Sequence, residues 1–516
     1  MTLVSFSQSL TNIFASWTKR LLEVLVVLIT IPIITAHFGL ELMGIWLLAT
    51  QLSQHILLFE MGLNVSLTRF LASFRAKGDL LKASQYLSTS IVFLLLISLI
   101  VILVSPIIAY GFNSIFNFPL SIHKETILLF LLIIIASGIN LLLRTGIGML
   151  SSQHKFDRIS FWESLVSITR LVLVIICFYW FNPNFILLVA ITYIPALIGN
   201  FMIFYEGIKI NSDLSISRNN IAKPVIMSML SISGSALVIT LAAIILRQTS
   251  SIFVGWELGY ENIATLTFPI MIVLAILPFI SIGATLLSPV ASQLHASSDL
   301  ESLYKIFKTI GRYVFSLSLI ILLGFYYLSS VAFELWLGGE NIDNSSLEII
   351  AKNVLIIFFG VSLAVPGFLL RQILIATGNH WNVARTEVLG SIAGVCIGII
   401  LITSTNLGTT GMAIGICLAF IIRAIFMTTQ SAQFFSKSFF KLIFDCMSKP
   451  LILLVIPIAF TNLLFFIFKL NLSLNFVNFI YFFSSFLLWL PCFWFWIVDE
   501  EHKREFIKII NNKFFK

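Results

Sequence analysis

Fourteen apolar runs, each long enough to cross a lipid bilayer, leave this 516-residue chain little material for a water-soluble core. A helix needs about 20 mainly apolar residues to span the hydrocarbon layer. The sequence therefore predicts an all-α integral membrane protein with about 14 transmembrane helices. Their approximate ranges are 19–37, 42–66, 85–111, 125–150, 159–181, 184–208, 224–254, 260–289, 312–338, 349–377, 385–405, 409–432, 449–469 and 473–498.

Composition excludes several other classes of protein. Only 10% of the residues are charged, whereas a soluble protein carries about a quarter. The net charge of +8 comes from Lys and Arg scattered between apolar runs, not from the clustered basic face that nucleic acid requires. The five cysteines form no CxxC or Cys/His spacing, so neither disulfides nor a metal site is predicted.

The distribution of positive charge predicts the orientation in the membrane. If both termini are cytoplasmic, 23 of the 31 Lys and Arg residues fall in cytoplasmic loops and tails. The opposite side receives only Lys124, Lys352 and Lys469. This asymmetry follows the positive-inside rule.

The remaining five cations, all arginines, lie inside predicted spans. An arginine at the bilayer centre costs about 2.5–3.5 kcal/mol, so we expect these side chains to face a protein or water-lined interior. Asn140 shares a helical face with Arg144, and Glu163 shares one with Arg170. Two further carboxylates, Glu23 and Glu60, lie at membrane depth and suit either ion coupling or pairing with arginines. The five arginines are Arg144, Arg170, Arg247, Arg371 and Arg423.

Weak internal similarity predicts a duplicated architecture. Leu142-Leu143-Arg144 resembles Leu369-Leu370-Arg371, and Gly39-Leu40-Glu41 resembles Gly259-Tyr260-Glu261, at nearly equal separations along the chain. Parallel repeats of this kind occur in transporters, whose substrate site lies between the halves. We therefore expect an N-terminal six-helix half at 1–210, a C-terminal six-helix half at 223–434, and two extra helices with a basic tail at 448–516.

Several short motifs resemble those of a known family. They are Ile31-Pro32, Phe38-Gly39, Gly44-Ile45-Trp46, Glu60-Met61-Gly62-Leu63-Asn64 with Arg69, and Asn406-Leu407-Gly408-Thr409-Thr410-Gly411-Met412-Ala413-Ile414. Together they resemble the polysaccharide (oligosaccharide-lipid) flippases of the multidrug/oligosaccharidyl-lipid/polysaccharide exporter superfamily. The resemblance extends over residues 10–435, although Glu60 and Asn64 stand where the family more often has aspartate and glycine.

The resemblance implies a flippase, not an enzyme, in the bacterial inner membrane. Its substrate would be a polyprenyl-diphosphate-linked oligosaccharide, moved by alternating access for surface polysaccharide biosynthesis. The five arginines and Asn140 would line a central cavity and bind the diphosphate, because guanidinium groups donate paired hydrogen bonds to phosphate. Glu23, Glu60 and Glu163 are the candidates for ion coupling. Besides membrane lipid, a polysaccharide polymerase and a chain-length regulator are the expected partners, and no cofactor is expected.

Three alternatives remain open at this point. A flippase for lipid-linked peptidoglycan precursors would need the same cationic cavity. A cation-coupled multidrug exporter of the same superfamily would share the topology, but its cavity would hold more carboxylates and aromatic rings. A membrane polysaccharide polymerase or ligase would need catalytic groups in a sizeable external loop, and the sequence offers no such loop.

Overall fold

Every regular element that the structure describes is a helix. The structure, a computed structural model, describes residues 6–116, 118–181, 183–338, 342–468, 474–500 and 503–504. The helices are α1 (Phe6–Ile56), α2 (Leu58–Ala76), α3 (Leu80–Ile115), α4 (His123–Leu143), α5 (Thr145–Ser152), α6 (Phe156–Trp180), α7 (Phe185–Ile210), α8 (Lys223–Ile244), α9 (Ser250–Leu258), α10 (Ile263–Ala296), α11 (Leu300–Leu337), α12 (Asn344–Leu363), α13 (Val365–Ala376), α14 (His380–Ser404), α15 (Thr409–Phe435), α16 (Phe439–Phe468) and α17 (Leu474–Trp496). A π-helical segment, Ile245–Thr249, joins α8 to α9, and short 3₁₀ turns cover Arg218–Asn220 and Tyr260–Asn262.

The described helices confirm the predicted all-α membrane fold. Thirteen helical stretches in the described part of the chain are long and apolar enough to cross a membrane. The first of them, Thr18–Ile56, contains a backbone break at Gly39 (φ 73°) and therefore includes two of the predicted spans. Large apolar side chains such as Leu99, Leu103 and Ile107 of α3 are exposed, as expected for helices surrounded by lipid. The chain is a multi-pass membrane protein.

Four predicted spans are broken helices rather than single straight ones. Breaks fall at Leu57 between α1 and α2, at Arg144 between α4 and α5, and at Ala364 between α12 and α13, while the π-helical segment interrupts the seventh span. At the last of the three breaks, Pro366 near the start of α13 has no backbone N–H to continue the ladder. At Arg144, the carbonyl oxygen accepts from the Ile147 backbone N–H at 2.9 Å and also from Asn64 Nδ2 at 3.0 Å.

The chain divides into two compact units. The first contains the described residues up to Ile244 together with Gln248–Ala264. In it, α2, α3 and α8 pack around Leu67, Leu87 and Met229, while α1, α4, α6 and α7 form a second group of neighbouring helices.

The second unit contains Ile245–Arg247, Thr265–Gly338 and the described residues from Asp343 onward. Helices α12, α14 and α15 are its most closely associated group. The last two helices, α16 and α17, pack on α11 around Leu323, Leu453 and Trp489.

Backbone landmarks agree with one of the two sequence similarities and differ from the other. Gly39 and Gly259 both have positive φ, as equivalent turns of a repeat should. The breaks at Arg144 and Ala364 are as far apart in sequence as these two glycines. The starts of α6 and α14 are further apart, because α13 has 12 residues and α5 has only eight. The predicted match of Arg144 with Arg371 is therefore wrong. Arg144 occupies a helix break, whereas Arg371 lies seven residues beyond the corresponding one.

The two glycine turns meet inside the first unit. Tyr260 Oη donates to Glu41 Oε1 at 2.7 Å. A methyl group at Gly44 would overlap the carbonyl oxygen of Tyr260, so only glycine permits this approach of helix to turn. The turns are therefore a packing contact as well as a repeat signature.

We predict that Gly44→Ala lowers stability, since overpacking a close backbone contact costs about 1–3 kcal/mol. Gly111→Ala is the matched control: it is also a helical glycine, but its added methyl group would meet open space. We expect a lower melting temperature of the detergent-purified protein only for Gly44→Ala. Equal melting temperatures for the two variants would contradict the contact.

Candidate functional site

A polar cavity of about 460 Å³ lies inside the first unit, between α1, α4, α6 and α7. Four residues that the sequence singled out line it: Glu23, Arg144, Glu163 and Arg170. Gln54, Ser167 and Asn200 supply further polar groups, while Arg20 adds a third arginine. Three guanidinium groups and two carboxylates thus surround one cavity at membrane depth.

One ion pair between α1 and α6 and two within α1 lie at one end of the cavity. Lys19 Nζ contacts Glu163 Oε2 of α6 directly and lies 3.6 Å from Glu23 Oε1. Arg20 Nη1 lies 3.2 Å from Glu23 Oε2. The sequence did not single out Lys19, which the structure places on α1 against Glu163.

Arg144 is held by a buried carboxylate at the break between α4 and α5. Its Nε lies 2.5 Å from Glu60 Oε2, and Glu60 is 3% exposed. Asn64 Nδ2 donates to Glu60 Oε1 at 2.6 Å. Such a buried charge pair is stable only when its remaining polar atoms are also satisfied, and Asn64 does this one turn along α2.

Two amides connect the cavity to the interior of α4. Asn200 Nδ2 of α7 donates to Asn140 Oδ1 at 2.8 Å. Asn140 is 6% exposed, and of the two amides Asn200 is the one that lines the cavity. Asn140, which the sequence predicted to line the cavity, therefore lies behind Asn200 and contacts the cavity lining through it.

Arg170 differs from the other cations of the cavity. Among the described residues it forms no salt bridge. Its Nη2 donates to the Thr192 carbonyl oxygen at a long 3.4 Å, and its buried Nε has no hydrogen-bond partner. Glu23 is the carboxylate that interacts with it at longer range. Among the described residues, Arg170 thus lacks the bonded carboxylate that Arg144 has in Glu60.

The remaining predicted arginines lie in the second unit and do not join this cavity. Glu387 of α14 bridges Arg371 Nε at 2.9 Å and Arg423 Nη1 at 3.1 Å, and Arg423 Nη2 also contacts Ser391 Oγ. Arg247 lies in the π-helical segment and interacts electrostatically with Arg423.

Sequence reasoning missed Glu387, although a signal for it was present. The segment from Glu163 to Ile168 and the segment from Glu387 to Ile392 share the pattern E-x-L-x-S-I, and each begins seven residues after the first residue of its helix. In both, the serine hydroxyl donates to the glutamate carbonyl oxygen, at 3.0 Å for Ser167 and 2.7 Å for Ser391. The two carboxylates are therefore equivalent positions of the repeat.

The surroundings of the two equivalent carboxylates differ. In the second unit, methyl groups at Gly390, Gly394 or Gly398 of α14 would overlap atoms of α15, so these helices pack closely around Glu387. The residue of α6 that corresponds to Gly394 is Arg170. The same framework thus encloses a shared ion pair in one unit and lines an open polar cavity in the other.

The sequence places the chain in a family. A model of the family described as "polysaccharide biosynthesis protein" matches residues 9–295, more than half of the chain. The chain belongs to the polysaccharide biosynthesis protein family. No curated protein matches the sequence at a significant level.

Solved structures place this family member in the fold of the MOP superfamily. An inward-facing multidrug resistance MATE family transporter has 16% identity and a TM-score of 0.69, with 80% of this chain and 94% of that chain covered. The lipid II flippase MurJ, inward closed, has 14% identity and a TM-score of 0.69, covering 93% and 97%. A MOP superfamily transporter from Pyrococcus furiosus has 18% identity and a TM-score of 0.55, covering 84% and 94%. The three solved structures are those of transporters and of a flippase, and their likeness to this chain is one of fold.

We predict that Glu387→Gln destabilises the protein, because it leaves Arg371 and Arg423 buried without their shared carboxylate. Breaking a buried pair costs about 3–5 kcal/mol. Glu163→Gln, at the equivalent position, faces a cavity that water can enter, so we expect a much smaller fall in melting temperature. A fall of the same size in both variants would contradict the difference between the two surroundings.

Proposed function

We propose that the chain is a flippase for polyprenyl-diphosphate-linked oligosaccharide repeat units, which it moves across the bacterial cytoplasmic membrane by alternating access for surface polysaccharide biosynthesis. The observation that carries this proposal is Arg170, whose guanidinium lines a polar cavity without a salt-bridge partner among the described residues. A diphosphate is the group in such a substrate that a free guanidinium recognises best, through paired charge-assisted hydrogen bonds.

The charges of the cavity favour an anion over a cation. Three arginines and two glutamates line it. Glu60 pairs with Arg144, Glu23 with Arg20 and Glu163 with Lys19, which leaves the charge of Arg170 unbalanced. Gln54, Ser167 and Asn200 add groups that can hydrogen-bond sugar hydroxyls. This arrangement supports the flippase over a multidrug exporter for organic cations. A flippase for lipid-linked peptidoglycan precursors remains the second candidate, because that substrate carries the same diphosphate.

The ion pairs of the cavity suggest how transport is coupled to an ion. An incoming diphosphate would compete with Glu163 for Lys19 and with Glu60 for Arg144. A carboxylate released from its cation in this way can take up a proton or a sodium ion. Glu23, Glu60 and Glu163 are therefore the proposed coupling residues, and Arg144 is a proposed second ligand of the diphosphate.

The arrangement in the cell is part of the same proposal. The termini face the cytoplasm, as the positive-inside rule favours, and the two six-helix halves alternate around the substrate. A membrane potential that is negative inside would assist export of the diphosphate by roughly 4–5 kcal/mol per 100 mV if two charges crossed the full field. A polysaccharide polymerase with its chain-length regulator would then use the repeat units at the outer leaflet.

The test is translocation of a polyprenyl-diphosphate-linked sugar in proteoliposomes that contain Arg170→Ala. Loss of hydrogen bonds to a charged group costs about 1.5–3 kcal/mol, so we expect translocation to fall by at least tenfold, with partial recovery in Arg170→Lys. Arg158→Ala is the matched control, because Arg158 begins the same helix but is exposed outside the cavity. Wild-type rates for a normally folded Arg170→Ala protein would overturn the assignment.

A further inference from the structure

A second cavity of the first unit lies beside the polar one and is almost entirely apolar. This crevice between α6 and α7 has a volume of about 370 Å³. Leu165 and Leu173 of α6 face Ala190, Ile191 and Ile194 of α7 across it. Its lining would hold hydrocarbon and repel a sugar or a phosphate.

The crevice and the polar cavity adjoin each other. Val166 of α6 and Gly199 of α7 line both. A methyl group at Gly199 would overlap Val166 Cγ2, so glycine brings the two helices together at this point and leaves one valine side chain as the partition. A flexible chain can pass such a partition when the valine changes rotamer.

Arg170 lies at the junction of the two compartments. It lines the polar cavity, while Val166, four residues before it, and Leu173, three residues after it, line the crevice. These spacings place all three side chains on one face of α6. The bond from Arg170 to the Thr192 carbonyl oxygen reaches across to α7, so its guanidinium stands next to the apolar compartment.

The crevice also opens at the outer surface of these two helices. Leu165, Ile194 and Ile198 line it and remain 42%, 53% and 59% exposed. Because α6 and α7 have the length and hydropathy of membrane spans, this exposed rim faces hydrocarbon rather than water. In the second unit, by comparison, the glycines of α14 bring it into close contact with α15.

We propose that the crevice between α6 and α7 holds the part of the polyprenyl chain nearest the diphosphate while the diphosphate is bound at Arg170. The inference rests on the proposed function and adds the route of the lipid tail. The anionic head of such a substrate would meet the guanidinium. The hydrocarbon joined to it would pass the shared wall at Val166 and lie in the apolar crevice. The head thus enters the protein while the tail stays continuous with the membrane.

Photo-crosslinking in the full chain tests this placement. A benzophenone amino acid is introduced at Leu173, inside the crevice, or at Val172, which is 46% exposed and does not line it. The probe is tritiated undecaprenyl diphosphate in vesicles of phosphatidylethanolamine and phosphatidylglycerol. We expect at least fivefold more label from position 173 than from position 172.

Filling the crevice provides an independent measurement. Ala190→Phe should reduce both the label at position 173 and the translocation of the lipid-linked sugar by at least fivefold. Ile186→Phe is the matched control on α7, at an exposed site outside the crevice. A normally folded Ala190→Phe protein that transports at the wild-type rate would overturn the route.

Failure of this inference can be separated from failure of the proposed function. Equal labelling at positions 172 and 173, with translocation that still depends on Arg170, would overturn the crevice and leave the flippase proposal intact. Translocation that is independent of Arg170 would overturn the proposed head site itself. Competition with excess phosphatidylglycerol gives a third outcome. If it suppresses labelling at position 173 as well as undecaprenyl diphosphate does, the crevice holds ordinary acyl chains, which also overturns the inference.

Discussion

An ionised side chain at membrane depth needs a partner of opposite charge or access to water, and much of this structure follows from that requirement. An arginine at the bilayer centre costs about 2.5–3.5 kcal/mol even on the mild insertion scale. Arg144 meets the requirement with Glu60, and Arg371 and Arg423 meet it by sharing Glu387. Neighbouring polar side chains add hydrogen bonds to these pairs: Asn64 donates to Glu60, and Arg423 donates to Ser391.

Arg170 is the exception that gives the first unit its chemistry. It has no salt bridge among the residues that the structure describes, although it lines a polar cavity. Cavity water or a ligand must therefore solvate it. An anionic ligand would complete a charge arrangement that the protein leaves incomplete, which is how a binding site differs from a structural ion pair.

Divergence between the repeats explains why the open cavity is in the first unit. Both repeats keep a glutamate and a serine one turn apart on equivalent helices. Glycine at 390 and 394 lets α14 approach α15 closely, whereas Val166 and Arg170 occupy the equivalent places on α6. A few differences in side-chain volume thus give a closely packed shared ion pair in the second unit and a polar cavity beside an apolar crevice in the first. An amphiphilic substrate needs both of the latter, one for its head and one for its tail.

Local pattern alone determined the helical class, the approximate spans, the turns at Gly39 and Gly259 and the identity of the intramembrane arginines. These features can be predicted from the sequence because the bilayer fixes the length of an apolar helix and penalises each charge within it. Only the tertiary structure decided which carboxylate meets which cation, including the contact of Lys19 with Glu163. It also decided that Arg371 is out of register with Arg144, and that a cavity and a crevice lie at α6 and α7 whereas α14 packs closely on α15. Such pairings depend on the rotation and separation of helices distant in the chain, which are set by the packing of small and large side chains and which hydropathy does not encode.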